Sequence, residues 1–547
     1  MEGQTGLSFP QEIWWLVSQE FADRRDFGGL FLCARLGKGI ARLALPELYA
    51  IHDQSPAINA HILDIETSIC LWRSIITSSL GKTLFPYCCW IKALKLGNLH
   101  SQLEDLARDN PGLKASFFSP PLEKLQIRRG RGRALDLEAI IIEVANLVTE
   151  CIRTSAAQES KRIALTTLEG NYLPTANLPK WVSSLSSLTS LSVRDGSVLN
   201  SDVARAIRAN CPAFREVECF FCSGTDLDED LAGFFRNLEP NTLVSFTILS
   251  MNEIGKETFK ALSEHSRSLR TLSLFSLERI AFQALNELQH CLSLESLRLE
   301  GAPGARRYLW EAECKQVFQE VVQWLQKCTA LRELEFTVVP TATTILAEVL
   351  KSPVVRLTSL SLLTFDLDKE FCLSLLKQQE LRHLAVKIRD EELLETDDER
   401  HTMLANAVAC CHELRELDTN ELFSLEEIEH ICTSLPWLEE IVLNGDLIDN
   451  EFLTPLSRLS KLKSLNIFGP SVLSPDTVLE FLEKIAADPK GKHDGLQVWI
   501  SNQNYDSKFT DEEETRVATA LWDLFRGRFD INYRLDPDEL HESDFSD

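Results

Sequence analysis

A six-residue frame, Leu269-Arg270-Thr271-Leu272-Ser273-Leu274, constrains this chain more than any other feature, because the pattern L-x-x-L-x-L returns along most of its length. It recurs at 188–193, 294–299, 331–336, 357–362, 381–386, 438–443 and 462–467, with looser copies at 91–96, 122–127, 160–165, 214–219, 243–248 and 414–419. The starts lie roughly 24 to 38 residues apart, the spacing of a repeat architecture. The last three residues of each frame alternate, which predicts a short strand with Leu272 and Leu274 facing inward and Thr271, Ser273 and Phe275 facing out. One strand with its following helix cannot bury its own apolar side. Neighbours must therefore stack, and the expected fold is α/β, a curved solenoid of about 14 irregular repeats.

Charge narrows the partners. The chain carries 82 acidic and 56 basic residues, a formal net charge of −26, so its field repels phosphates and disfavours nucleic acid or an anionic membrane as a general partner. Met1-Glu2-Gly3-Gln4 lacks the basic start of a secretory leader, and the apolar run at 13–17 is too short to span a bilayer. The expected location is cytoplasmic or nuclear, where the 15 cysteines stay reduced.

Residues 1–50 differ in character from the rest. Pro10 opens a helix whose apolar stripe is Ile13, Leu16, Val17 and Phe21; a second helix comes next through Leu30, Phe31, Cys33 and Leu36, and a third covers 40–49 after the turn Gly37-Lys38-Gly39. Three short helices make a marginal core. Phe9-Pro10-Gln11-Glu12-Ile13, Asp26-Phe27, Leu30-Phe31-Leu32-Cys33 and Ala44-Leu45-Pro46-Glu47-Leu48-Tyr49 together resemble a fungal F-box. That resemblance implies docking on a Skp-type adaptor within a cullin complex, with Pro10, Ile13, Leu16, Leu30 and Leu32 at the adaptor interface. The frames from about residue 90 onward resemble the leucine-rich-repeat superfamily. The pairing of the two implies a receptor that presents a protein substrate for ubiquitylation and proteasomal degradation.

The expected organisation is a helical linker over 51–90, the repeat array over 91–509, a capping helix over 510–535 announced by the capping box Thr510-Asp511-Glu512-Glu513, and an acidic tail over 536–547. The stretches 71–76 and 79–88 are also similar to fungal F-box proteins with degenerate repeats. Cys211, Cys291, Cys328 and Cys411 each stand just before a frame, where a small apolar side chain fits a crowded helix-to-strand corner. Three long repeats carry loops expected on one rim: 301–310 with Arg306, Arg307, Tyr308 and Trp310, the acidic run 389–400, and the arginine island 128–133.

The outward strand residues are the expected binding face for a protein partner. Acidic positions such as Glu216, Glu218, Glu333, Glu335, Glu416, Asp418 and Glu440 outnumber the basic Arg194, Arg298 and Lys387, while Phe220, Phe275 and Phe468 supply apolar anchors. Such a face suits a segment of complementary basic charge. No catalytic residue, cofactor site or metal site is expected: Cys410-Cys411-His412 with His430 and Cys432 lacks paired ligand spacing, and Cys88-Cys89 reads as core filling. Three function classes stay open. They are a ligase substrate receptor without bond chemistry of its own, a repeat scaffold with a decayed F-box, and a GTPase-activating protein that would present Arg306 or Arg307.

Overall fold

The computed structural model describes residues 10–55, 65–109, 111–130, 134–159, 162–171, 173–304, 314–339, 341–365, 367–388, 398–445, 447–489, 491–504 and 507–533. Contacts divide the chain into two units, Met1–Leu269 and Arg270–Asp547. Arg306, Arg307, Tyr308 and Trp310, the acidic run at 389–397, Phe9 and the tail from 534 lie outside the described residues. Among the described residues no helix is long and apolar enough to cross a membrane.

The first unit opens with three helices, α1 (Gln11–Asp23), α2 (Phe27–Arg35) and α3 (Lys38–Ala50). Pro10 is the N-cap of α1, its carbonyl accepting from Ile13 N at 3.1 Å. Asp26 caps α2 by accepting from Gly29 N at 2.8 Å. Gly29 itself marks a close crossing: a Cβ there would stand 2.8 Å from the Phe21 ring of α1. Ala22, Leu30, Cys33 and Ala44 form the buried centre, walled by Trp14, Val17, Phe21, Ile40 and Leu48 among others. Next comes α4 (Ile65–Ser79), which stops before Gly81 at φ +66°. Tyr49 of α3 stacks on Tyr87 with centroids 4.6 Å apart and shares a 2.7 Å hydrogen bond with Ser74 of α4, so the three helices are tied to the segment that leads into the repeats.

Five parallel strands then pair in chain order: β1 (Ala93–Lys95), β2 (Thr167–Gly170), β3 (Ser190–Asp195), β4 (Glu216–Phe221) and β5 (Ser245–Ile248). Leu94, Leu168, Leu191, Val217 and Phe246 lie in register and are buried. Two expectations fail here. The frame at 122–127 makes no strand but a single 3-10 turn, Glu123–Leu125, so Arg128 and Arg129 do not leave the end of a strand, and the rest of the arginine island, 131–133, lies outside the described residues. The frame expected at 160–165 starts instead at Leu165, because Leu165 and Leu168 are the buried pair and Leu173 fills the room that Gly170 leaves in the third position. Between β1 and β2 runs the long helix α5 (Leu137–Glu159).

The second unit repeats the scheme with ten parallel strands in chain order. They are β6 (Thr271–Leu277), β7 (Ser296–Gly301), β8 (Glu333–Thr337), β9 (Ser359–Phe365), β10 (His383–Ile388), β11 (Glu416–Leu422), β12 (Glu440–Asn444), β13 (Ser464–Gly469), β14 (Gln497–Asn502) and β15 (Arg528–Tyr533). One register line runs Leu272, Leu297, Leu334, Leu360, Leu384, Leu417, Ile441, Leu465, Val498 and Phe529, all buried. Each such side chain contributes roughly 1.5–3 kcal/mol on leaving water. The segment expected to be only a capping helix is a further repeat: the helix Asp511–Phe525 carries the expected capping box at Thr510 and Glu513, and it leads into β15. Cys211, Cys291, Cys328 and Cys411 are buried at the corners, and burial pushes the thiols of Cys211, Cys328 and Cys411 up to about 12.

Candidate protein-binding surfaces

On the N-terminal helices the residues nominated for adaptor docking separate into two groups. Pro10 is exposed at the start of α1, and Ile13 (42%), Leu16 (53%) and Leu32 (61%) are exposed on α1 and α2. Leu30 is not available. It is 0% exposed at the centre of the three-helix core, because α2 turns that face toward α1 and α3. The structure adds Trp15 (45%), Phe31 (55%) and Leu36 (62%), which were not nominated for docking. Helical spacing carries the signal: Leu32 and Leu36 are four apart, as are neighbours on one helix face.

The outward strand positions of the first unit bear Lys95, 3.5 Å from Asp53 and 3.7 Å from Glu169. Ser192 donates to Glu218 at 2.9 Å, and the Arg194 guanidinium lies 5.2 Å from the centroid of the half-exposed Phe220 ring. Strand pairing places β3 beside β4 and makes these contacts possible.

In the second unit Arg298 lies between Glu333 (3.6 Å) and Glu335 (3.7 Å), Lys387 pairs with Asp418 at 2.7 Å, and His383 is 3.6 Å from Glu416. These pairs are partly exposed and each is worth at most about 1 kcal/mol. Their consequence is electrostatic: the nominated cations are already engaged, while Glu440 keeps a carboxyl pushed up first by burial and then by Glu416. Phe275 is half-buried. Phe468 meets Trp499 edge to face at 5.1 Å, and Asn466, Arg528 and Asp530 line the depression beside Trp499. Trp499 escaped the sequence reading because β14 has no leucine frame.

Glu421 is a buried carboxyl of this unit. Leu422 N donates to its Oε1 at 3.1 Å and His401 Nδ1 touches the same oxygen, while Oε2 has no hydrogen-bond partner. Burial pushes the carboxyl up; His401 and the Leu422 N–H pull it back, and Glu427 pushes it further. An unfolded glutamate loses its proton near pH 4.3, so above that pH the folded state holds a proton the unfolded state has released. Stability therefore falls as pH rises from about 4.5 through the folded pKa. Glu421→Gln is expected to flatten that fall in urea titrations of the full chain across this range. An unchanged slope would remove Glu421 as its source.

Sequence reading also passed over Cys219-Phe220-Phe221-Cys222, a C-x-x-C at the end of β4. Both thiols are fully buried and so out of reach of a reagent in water, and contact with Cys222 and burial push the Cys219 thiol far up. The other cysteine and histidine positions weighed at 410–412, 430 and 432 do not gather as a ligand group among the described residues.

No family model and no curated protein matches this chain. Among solved structures it is similar to one described as a crystal structure of the Rad7 and Elc1 complex in yeast, at 15% identity and a TM-score of 0.32, covering 64% of this chain and 92% of that one.

Proposed function

We propose that this chain is the substrate-recognition subunit of an SCF-type cullin-RING ubiquitin ligase, with α1 and α2 docking on a Skp-type adaptor and the repeats holding a protein target. The supporting observation is the set of six large apolar side chains, Ile13, Trp15, Leu16, Phe31, Leu32 and Leu36, each 42–62% exposed on two neighbouring helices that already have their own core. A helical unit this small gains nothing by leaving such side chains in water unless a partner covers them. The motif resemblance of the same segment supports an adaptor as that partner. The target side is the outward strand positions of each unit, where engaged cations and surplus carboxylates favour a basic segment; Phe220 offers an apolar contact in the first unit and Trp499 in the second. The chain makes and breaks no bonds in this reading; it holds the target near a catalytic partner.

The test is co-purification with a Skp-type adaptor. Full-length chain is expected to retain the adaptor stoichiometrically, and Ile13→Asp/Leu16→Asp is expected to weaken the complex at least about 30-fold, the effect of losing roughly 2 kcal/mol at an interface centre. A folded chain that retains no adaptor leaves the repeat-scaffold reading in its place.

A further inference from the structure

Three thiols distant in sequence meet just ahead of the repeats. Cys88 and Cys89 are adjacent on the 3-10 turn Tyr87–Cys89, and Cys151 comes from α5. Cys88 Sγ lies 3.5 Å from Cys151 Sγ and 4.0 Å from Cys89 Sγ, and all three sulfurs fall within 4.8 Å of one another. Cys88 is fully buried while Cys89 and Cys151 are half-buried, so the cluster is reachable from one side. Ser155, one turn along α5, places its hydroxyl 3.9 Å from Cys151 Sγ.

We propose that Cys88, Cys89 and Cys151 form a structural site for a thiophilic d10 cation of the zinc class, with the Ser155 hydroxyl or a water as fourth donor. The spacing carries the argument. A metal–sulfur bond of about 2.3 Å in a tetrahedron sets sulfur–sulfur edges of about 3.8 Å, and the two separations from Cys88 Sγ bracket that value. Two core-filling cysteines at repeat corners point their thiols at backbone carbonyls: Cys211 donates to Leu185 O and Cys328 to Trp324 O, each at 3.4 Å. The three thiols of this cluster face one another instead.

Uptake is a simple exchange. A divalent cation and three thiols give three metal–sulfur bonds, a complex of net charge −1 and three released protons, so affinity rises with pH. No oxidant is consumed. The bound ion would join the turn Tyr87–Cys89 to α5, and because Tyr87 stacks on Tyr49 of α3 it would brace the footing of the three N-terminal helices. This inference does not rest on adaptor binding.

The experiment uses the full chain, reduced and stripped with a chelator, titrated with Cd(II) while thiolate-to-metal charge-transfer absorption is followed; Zn(II) and Cu(I) are then tested as competitors. One equivalent per chain, with the absorption of three thiolates, is expected. Cys151→Ser and, separately, the half-buried Cys89→Ser are each expected to weaken uptake by more than the 10–100-fold that loss of an outer-shell partner costs. Cys70→Ser, at an exposed cysteine, is the control and leaves uptake unchanged. Circular dichroism of the stripped variants establishes that they are folded. Zn(II) displacing Cd(II) assigns the divalent class, and displacement by Cu(I) alone overturns that assignment. Equal uptake by Cys151→Ser, or none by the parent chain, overturns the site.

Discussion

Leu30→Ala is expected to destabilise the three-helix unit by about 2–5 kcal/mol, while Leu32→Ala, two residues on, changes its stability by less than about 0.5 kcal/mol. The contrast comes from burial alone. Leu30 is 0% exposed among Ala22, Cys33 and Ala44, so its truncation removes transfer energy and leaves a cavity; Leu32 is 61% exposed. A unit of some forty residues has little stability to spare, so the loss is a large part of its total. Amide exchange of α1, α2 and α3 is the direct readout, with protection in Leu30→Ala falling at least about 30-fold and that in Leu32→Ala holding. Adaptor retention is expected to drop in both variants for different reasons: Leu30→Ala loses the platform, and Leu32→Ala loses a contact. Equal exchange in the two variants would mean that the leucine run packs in another register.

The same pair shows where the sequence is legible. Strands in a stacked array need apolar residues at alternate positions, and leucine meets that need so regularly that most frames can be read by eye. The signal fails where other residues do the same work. Gly495, Val498 and Ile500 hold the frame positions of β14, and Arg526, Phe529 and Ile531 hold those of β15; each set is apolar at the two strand positions but lacks the opening leucine. At 122–127 the pattern is present and the strand is not, since the pattern does not carry the pairing partner that a strand requires. The apolar residues of α1 and α2 were legible as a stripe but not as an orientation. Leu30 and Leu32 both fit the motif, and only the packing of α2 on α1 and α3 decides which one faces water. Cys151 lay beyond reach for a similar reason. Nothing local ties it to Cys88, and their contact is a product of how α5 crosses the turn before β1.

Asp228→Ala is expected to release the start of the helix Lys256–Leu262 at a cost of about 3 kcal/mol. That helix has Gly255 at its N-cap and no side-chain cap of its own. The missing acceptor is supplied by the preceding repeat: Asp228 Oδ1 accepts from Gly255 N at 2.7 Å and from Thr258 N at 3.0 Å, and Oδ2 accepts from Glu257 N at 3.1 Å. Thr258 Oγ1 closes the junction by donating to the Asp228 carbonyl at 3.1 Å. The carboxylate also lies at the positive end of the helix, where an anion is favoured. Truncation leaves three donors short of an acceptor, one of them on the fully buried Thr258, so the cost exceeds that of an ordinary cap. Asp228→Asn keeps one acceptor oxygen but sets an amide donor against a backbone donor, and an intermediate loss is expected. The measurement is amide exchange at Gly255, Glu257 and Thr258, whose protection is expected to fall roughly 100-fold in Asp228→Ala. Protection unchanged within about threefold would show that packing of Phe259 and Leu262 holds this helix without the cap. A fall confined to these amides would make the carboxylate a local clasp between repeats, which is how a stack built from short helices can hold each one in place.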